Sequence, residues 1–172
     1  HISLSTCGLV DKIYRLAEED LQITLSISLH AASDEIRNKI MPVNKKWGVD
    51  ELLDACKHYF DKTGRRISFE YTLIAGENDS EAEALALAKK LNSKLRTKNS
   101  TMPIHVNLIP VNPVKERDFK KSGKDEIKRF AKTLESKGIR ATVRRTLGAD
   151  INASCGQLRR DEMKKEEANS NA

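Results

Sequence analysis

The chain has 172 residues, of which 38% are hydrophobic and 33% charged, and its net charge is +6. This length suits one ordinary domain and excludes two large ones, and no apolar run is long enough to span a membrane. Three scattered cysteines and the lack of a signal peptide argue against a secreted disulfide framework and predict a cytoplasmic protein. The basic charge favours a polyanionic partner such as RNA.

Five β-rich runs alternate with helical segments along the chain. The runs lie at residues 2–6, 23–29, 66–73, 104–109 and 139–146. Between them, apolar residues recur at helical spacing, as in the stripe of Leu52, Leu53 and Cys56. This alternation predicts an α/β fold with about five mainly parallel strands, either a doubly wound sheet or a (β/α) barrel.

Capping residues mark the ends of several predicted helices. Ser33 and Ser80 stand where N-terminal caps belong, and Glu83 completes the spacing of a capping box with Ser80. Gly64 and Gly138 stand where C-terminal caps belong.

Polar runs separate the predicted elements. Residues 98–103 and 113–123 are predicted polar loops. Residues 159–172 lose all apolar periodicity, so we expect a charged, disordered tail after a domain that spans residues 1–158. His1 is not an initiator methionine and already lies in a strand-like run, so we expect the chain to be the later part of a longer protein.

The C-terminal ends of the strands are the predicted site, because active sites collect there in both candidate folds. The residues at these ends are Ser5 and Thr6, Ser28 to His30, Glu70 to Thr72, Pro110 to Asn112, and the loop that carries Cys155. Polar groups at Ser28 and His30 suit hydrogen bonding to a small ligand, although a histidine satisfied within the protein gives the same pattern. The amide of Asn112, between two prolines, suits either a base edge or a turn.

The three cysteines receive different interpretations. Cys155 follows the last strand in a glycine-flanked loop near Arg144 and Arg145, where cationic neighbours would lower the pKa of a thiol and make it nucleophilic. A small inert residue in a turn is the alternative. Cys56 belongs to an apolar helical stripe and is predicted to pack in the core, and Cys7 is predicted to line a cavity without reacting.

Five motifs occur in order over residues 1 to about 160. They are Leu4-Ser-Thr-Cys-Gly8, Ile27-Ser-Leu-His-Ala31, Ile40-Met-Pro-Val-Asn44, Val106-Asn-Leu-Ile-Pro-Val-Asn112 and Asp150-Ile-Asn-Ala-Ser-Cys-Gly-Gln-Leu158. Together they resemble the dual-specificity 23S rRNA and tRNA adenine carbon-2 methyltransferases of the radical SAM superfamily, the RlmN type. The resemblance implies a partial (β/α) barrel of the radical SAM type, to which this chain contributes the later strands.

The resemblance also implies roles for individual residues. Ser5, Ser28, Leu29, His30 and Asn112 would bind S-adenosylmethionine. Cys155 would be methylated by one S-adenosylmethionine, and a 5'-deoxyadenosyl radical, formed from a second at a [4Fe-4S] cluster, would activate that methyl group for addition to adenine carbon 2. The implied partners are 23S rRNA, tRNA and an electron donor for the cluster.

Several parts of the family's machinery have no counterpart among the matching motifs. The three-cysteine cluster loop, a Gly-Glu segment that helps bind S-adenosylmethionine and the resolving cysteine precede the matching region in the family. We therefore assign no metal ligand here, and we expect this chain alone to be inactive, with a sticky sheet edge where further strands would pair.

Three alternatives stay open at the level of sequence. One is the sister methyltransferase that acts on adenine carbon 8, the antibiotic-resistance type. Another is a noncatalytic RNA-binding barrel, for which Cys155 would have no role. The third, a barrel enzyme for a phosphorylated metabolite, is disfavoured because the chain has no glycine-rich phosphate loop.

Overall fold

The computed structural model describes residues 2–19, 21–97, 100–111 and 119–144. The helices are α1 (Val10–Glu18), α2 (Asp34–Ile40), α3 (Val49–Thr63), α4 (Glu81–Leu95) and α5 (Lys124–Ser136), with a 3₁₀ turn at Pro42–Lys45. The strands are β1 (Ile2–Thr6), β2 (Ile23–Ser28), β3 (Ile67–Leu73), β4 (Arg96–Thr97), β5 (Ser100–Thr101), β6 (His105–Pro110) and β7 (Arg140–Val143). The five predicted strands are therefore present, with ends that agree to within one residue except at the end of β7, where residues 145 and 146 of the predicted strand lie outside the described residues.

One sheet has the strand order β1-β2-β3-β6-β7, and every neighbouring pair is parallel. The predicted α/β fold of about five mainly parallel strands is confirmed. A row of residues runs straight across the sheet, because Thr6 pairs with Ile27, Ile27 with Phe69, Phe69 with Val106, and Val106 with Ala141. Ile27, Phe69 and Val106 in this row are fully buried.

The long helices form one layer in chain order: α1 packs against α3, α3 against α4, and α4 against α5. The strand residues that face this layer, among them Leu25, Ile67 and Leu108, join the helices in one continuous hydrophobic core. The alternate strand residues are mostly polar and half-buried or exposed. Helices in sequence order on one face show a singly wound sheet, so the described architecture is the partial barrel and not the doubly wound alternative.

The predicted helix caps at Ser33, Ser80, Gly64 and Gly138 are confirmed. The Ser33 hydroxyl accepts from the Ile36 amide at 3.4 Å, and that of Ser80 accepts from the Glu83 amide at 3.2 Å. Gly64 and Gly138 follow α3 and α5 with φ of 65° and 74°.

The prediction of a polar loop at residues 98–103 was wrong in part. β4 and β5 form a short antiparallel ladder, and Met102 lies in the core with 1% of its surface exposed. Met102 is an apolar residue within a polar run, so local composition does not predict its burial. None of the helices in the described residues is long and apolar enough to cross a membrane.

Candidate functional site

Polar side chains cross the sheet in two rows on the face opposite the helix layer. One row is Ser28, Glu70, Asn107 and Thr142; the other is Ser5, Ser26, Ser68, His105 and Arg140. We call these nine residues, together with His30 just after the end of β2, the polar face. In a (β/α) barrel this face lines the interior, and ligands bind at the C-terminal ends of the strands. The row that contains Ser28 and Glu70 is the nearer of the two to those ends.

Glu70 stands at the centre of the polar face. Its Oε1 accepts a hydrogen bond of 2.7 Å from the Ser26 hydroxyl, and its Oε2 accepts one of 2.7 Å from Asn107 Nδ2. Three neighbouring strands thereby hold one carboxylate in a fixed orientation. A half-buried carboxylate with donors on both oxygens is a preorganised acceptor, because its remaining lone pairs keep their direction before a ligand arrives.

His105 on β6 links the two neighbouring strands, β3 and β7. Its Nδ1 lies 3.0 Å from the Ser68 hydroxyl, and its Nε2 lies 3.0 Å from the Thr142 hydroxyl. Burial, then the nearby charges of Arg66 and Arg140, lower the pKa of His105. We therefore expect a neutral ring that bridges two hydroxyls.

His30 has a left-handed backbone, with φ of 59°. Its Nδ1 accepts a hydrogen bond of 3.0 Å from the Thr72 amide. Because an amide N–H can only donate, Nδ1 carries no proton, and the neutral ring has its N–H at Nε2. Burial, and next the charge of Arg37, lower the pKa of His30 to about 4. At neutral pH the ring therefore has one proton to donate, from Nε2.

Leu29 belongs to the core, with 1% of its surface exposed. Its amide donates to the Glu70 carbonyl at 3.0 Å, and its carbonyl accepts from Arg37 Nε at 2.9 Å. Both backbone groups of Leu29 thus have partners within the protein. The predicted ligand contacts of the 28–30 segment therefore concentrate on the Ser28 hydroxyl and the His30 ring.

Ser5 is exposed on β1 beside Ser26, and the next turn brings the chain back over the helices. In that turn Gly8 has φ of 96°, and its amide donates to the Thr6 hydroxyl at 3.1 Å. A Cβ at Gly8 would lie 2.9 Å from the Leu52 side chain. The turn after β1 therefore requires glycine for its conformation and for its close approach to α3.

Arg37 was missed by the sequence analysis, because an arginine in a short polar helix is usually solvated. It is fully buried. Its guanidinium donates to the carbonyls of Leu29 (2.9 Å), Ser28 (3.1 Å) and Cys7 (2.8 Å), and to Asn44 Oδ1 (2.8 Å). One side chain therefore joins the ends of β1 and β2.

Asn44 and Asp34 extend this network towards α3. Asn44 Nδ2 donates to Asp34 Oδ1 at 2.9 Å, and the same oxygen accepts from the Val49 amide at 2.7 Å. The motif Ile40–Asn44 thus has a structural role that spacing alone did not reveal: its last residue orients the buried arginine. The one sign of this role in the sequence is a polar residue, Asn44, at the end of an otherwise apolar motif.

Asn78 is the second buried polar residue that sequence reasoning missed. Its Nδ2 donates to the carbonyls of His30 and Thr72, both at 2.8 Å, and its Oδ1 accepts from the Ile74 amide at 2.8 Å. It therefore ties the loop after β3 to the turn after β2.

The remaining predicted site residues, Asn112 and Cys155, lie outside the described residues, as does the predicted tail at 159–172. Cys56 is fully buried, and burial raises the pKa of its thiol to about 12, so its predicted place in the core is confirmed. Cys7 is a free, exposed thiol at the end of β1.

The two implied cofactors fit the described residues differently. These residues contain no group of three or more His, Cys, Asp and Glu side chains that could hold a metal ion, so they do not fit an iron–sulfur cluster. The polar face fits an adenosine-containing ligand better, because Ser28 offers a hydroxyl, His30 an N–H and Glu70, paired with Ser28 on the next strand, a fixed acceptor.

Comparison with known proteins gives the site its context. The chain is 54% identical over 164 residues to a protein of Clostridium perfringens named a probable dual-specificity RNA methyltransferase RlmN. It is 55% identical over 167 residues to the protein of that name from Clostridium botulinum. This chain is homologous to RlmN-type RNA methyltransferases. The resemblance predicted from the five motifs is confirmed, and the chain spans about 45% of the length of these RlmN relatives.

Solved structures agree with this result. A radical SAM methyltransferase from Sphaerobacter thermophilus matches with a TM-score of 0.82 and 46% identity, over 91% of this chain and 43% of that one. A domain of pyruvate-formate lyase-activating enzyme from Bacteroides vulgatus matches with a TM-score of 0.57 at 15% identity, over 84% of this chain and all of that domain. The second likeness concerns the fold alone. No family model matches the chain.

Proposed function

We propose that this chain belongs to an RNA methyltransferase that modifies adenine carbon 2 in 23S rRNA and tRNA, and that its polar face binds S-adenosylmethionine. The observation that carries the proposal is the 54% identity to RlmN-type proteins over 95% of the chain. The term complete protein denotes this sequence together with any residues that its gene encodes on either side.

In this proposal the described residues hold S-adenosylmethionine at the strand ends. The Nε2–H of His30 and the hydroxyls of Ser5 and Ser28 face polar groups of the ligand, and Leu29 supports the turn between them. Asn112 adds an amide from the segment after β6. S-adenosylmethionine supplies the methyl group, and Cys155 carries that methyl group as a thioether before it reaches adenine.

The proposal assigns other components to the complete protein. They are a [4Fe-4S] cluster, whose ligands are not among the described residues, an electron donor that reduces it, and a cytoplasmic location where RNA is available. The net charge of +6 supports an RNA substrate, since basic proteins attract the phosphate backbone over a long range.

Ligand binding can be tested on the polar face directly. We expect His30→Ala and Ser28→Ala in the complete protein each to weaken S-adenosylmethionine binding about tenfold, because each removes one ligand hydrogen bond. Equilibrium dialysis with labelled S-adenosylmethionine measures this. Thr63→Ala is a matched control, because its hydroxyl donates to the Tyr59 carbonyl within α3, away from the polar face. Unchanged binding in both site variants would contradict the proposed site.

The reaction can be tested by mass spectrometry of nucleosides from RNA treated with the complete protein. We expect 2-methyladenosine, and 8-methyladenosine would instead favour the sister carbon-8 methyltransferase. Cys155→Ala should abolish turnover while RNA binding stays within about twofold, since a thiol that carries the methyl group has no substitute. Cys56→Ala is the thiol control, because that residue is buried in the core. Full activity of Cys155→Ala would favour a different carrier or a noncatalytic barrel.

A further inference from the structure

Two buried side chains bind the backbone of the turn at the end of β2, residues 28–30. Arg37 donates to the carbonyls of Ser28 and Leu29, at 3.1 and 2.9 Å. Asn78 donates to the carbonyl of His30 at 2.8 Å. Three consecutive carbonyls of one turn therefore bind side chains that come from two different segments of the chain.

The conformation of this turn needs such support. His30 has φ of 59°, a left-handed backbone that is unfavourable for any residue with a Cβ. The amides of Leu29 and His30 both donate to the Glu70 carbonyl, at 3.0 and 3.2 Å. With both amides and all three carbonyls occupied, the turn has little freedom to rotate.

Burial of an arginine carries a desolvation penalty that apolar core residues do not have. Moving a charge out of water is strongly unfavourable, and apolar residues of the same volume often stabilise a core as well or better. Yet Arg37 is fully buried, and three of its four hydrogen-bond acceptors are carbonyls at the ends of β1 and β2. Its planar fork donates from three separate nitrogens, whereas the three donors of a lysine ammonium share one nitrogen.

Asn78 places the same turn against the next strand. Its Nδ2 bridges the carbonyls of His30 and Thr72, and the Thr72 amide in turn donates to His30 Nδ1. This arrangement fixes the His30 backbone and the His30 ring together. The N–H at His30 Nε2 therefore keeps one direction.

We propose that Arg37 and Asn78 are positioning residues for the ligand site: they hold the 28–30 turn so that the Ser28 hydroxyl and the His30 Nε2–H point in the direction that binds S-adenosylmethionine. The inference rests on the proposed function for the identity of the ligand. The two residues act through Ser28 and His30 and do not touch the ligand themselves.

The test uses Arg37→Lys and Asn78→Leu in the complete protein. Arg37→Lys keeps the charge but loses the fork, and Asn78→Leu keeps the approximate volume but loses the amide. We expect the Kd and the KM for S-adenosylmethionine to rise about tenfold or more in each variant, while kcat at saturating S-adenosylmethionine stays within about threefold. A residue that only stabilises the fold would not produce this split.

Tyr59→Phe is the matched control. The Tyr59 hydroxyl donates to the Ile23 carbonyl at 2.8 Å, so this change removes a side-chain bond to a carbonyl of the same strand at its other end. We expect its Kd for S-adenosylmethionine to equal that of the unmodified protein. A rise in its Kd equal to that of the other variants would overturn the proposal, because any loss of support to β2 would then act alike.

A second readout does not require the ligand. Selective ¹⁵N labelling of histidine reports the tautomer of each ring, and this chain contributes four histidines. In the unmodified protein we expect His30 to carry its proton at Nε2, and in Arg37→Lys and Asn78→Leu we expect a mixture of tautomers. If the unmodified protein does not bind S-adenosylmethionine, the proposed function fails, and the tautomer measurement still tests the support of the turn.

The outcomes separate cleanly. Weaker binding with near-normal kcat and a mixed His30 tautomer supports the proposal. Folded variants with normal binding and a single tautomer overturn it. If both variants fail to fold, the role of Arg37 and Asn78 is structural and the positioning role is rejected.

Discussion

The two ends of β2 are held in different ways. At the N-terminal end, the Ile23 carbonyl accepts one side-chain hydrogen bond, from Tyr59, whose ring packs in the hydrophobic core. At the C-terminal end, buried Arg37 and Asn78 bind every carbonyl from Ser28 to His30. Packing thus dominates at the end without a predicted site, whereas buried polar groups gather at the end where we propose the ligand site.

Among the changes at the two ends of β2, we expect Arg37→Met to lower the free energy of unfolding most. The change leaves three carbonyls and the Asn44 amide oxygen without their donor, and each unsatisfied buried group costs about 1–3 kcal/mol. We expect the free energy of unfolding to fall by roughly 3 kcal/mol or more, part of the loss being offset because a buried charge is removed. Urea denaturation measures this, and a loss below about 1 kcal/mol would show that the network contributes little.

The pH dependence of His30 gives the next effect. Its pKa in the folded protein is about 4, against 6.5 for an ordinary histidine, so the unfolded chain binds the proton more readily between these values. The neutral His30 ring therefore makes its full contribution to the free energy of unfolding above about pH 6.5. That contribution is lost as the pH falls towards 4, and the loss is at most roughly 3 kcal/mol.

Unfolding midpoints in urea at pH 7 and pH 5 measure this effect, and His30→Gln supplies the control. We expect that variant to lose part of the pH dependence while the other titrating groups still contribute. An identical pH profile in both proteins would contradict a lowered pKa at His30.

Gly8→Ala should destabilise the C-terminal end of β1 by about 2 kcal/mol. Its φ of 96° strains a residue with a Cβ, and the new Cβ would lie 2.9 Å from Leu52. Gly64→Ala is the matched control, because Gly64 is also left-handed, with φ of 65°, but no atom lies within 4 Å of its added Cβ. We expect about 1 kcal/mol there, and thermal unfolding of both variants checks the difference. Equal losses would show that the contact with Leu52 relaxes freely.

The smallest effect is expected for Tyr59→Phe at the N-terminal end of β2. Loss of one hydrogen bond to a carbonyl costs about 1 kcal/mol, and the ring keeps its packing. The comparison with Arg37→Met in the same urea experiment completes the contrast between the two ends. A larger loss of stability in Tyr59→Phe than in Arg37→Met would show that the N-terminal end of β2 depends more on its side-chain hydrogen bond than the C-terminal end does.

Much of the fold and part of the site could be predicted from sequence. The apolar stripe that contains Cys56 predicted a core helix, and the predicted strand at residues 66–73 is present as β3, which buries Ile67, Phe69 and Tyr71. Ser28 and His30 were found at a strand end because local pattern shows where a strand stops. The ladder of β4 and β5 was missed, since two-residue strands carry almost no periodic signal.

The amino-acid sequence by itself determined the alternation of strands and helices, the helix caps, the five motifs and the relationship to RlmN-type proteins. Tertiary structure alone decided that the sheet is singly wound, that His30 carries its proton at Nε2, and that Arg37 and Asn78 are buried. The physical reason is distance along the chain. Periodicity reports which face an element buries, whereas a buried polar side chain depends on acceptors brought by folding, such as the His30 carbonyl, 48 residues before Asn78.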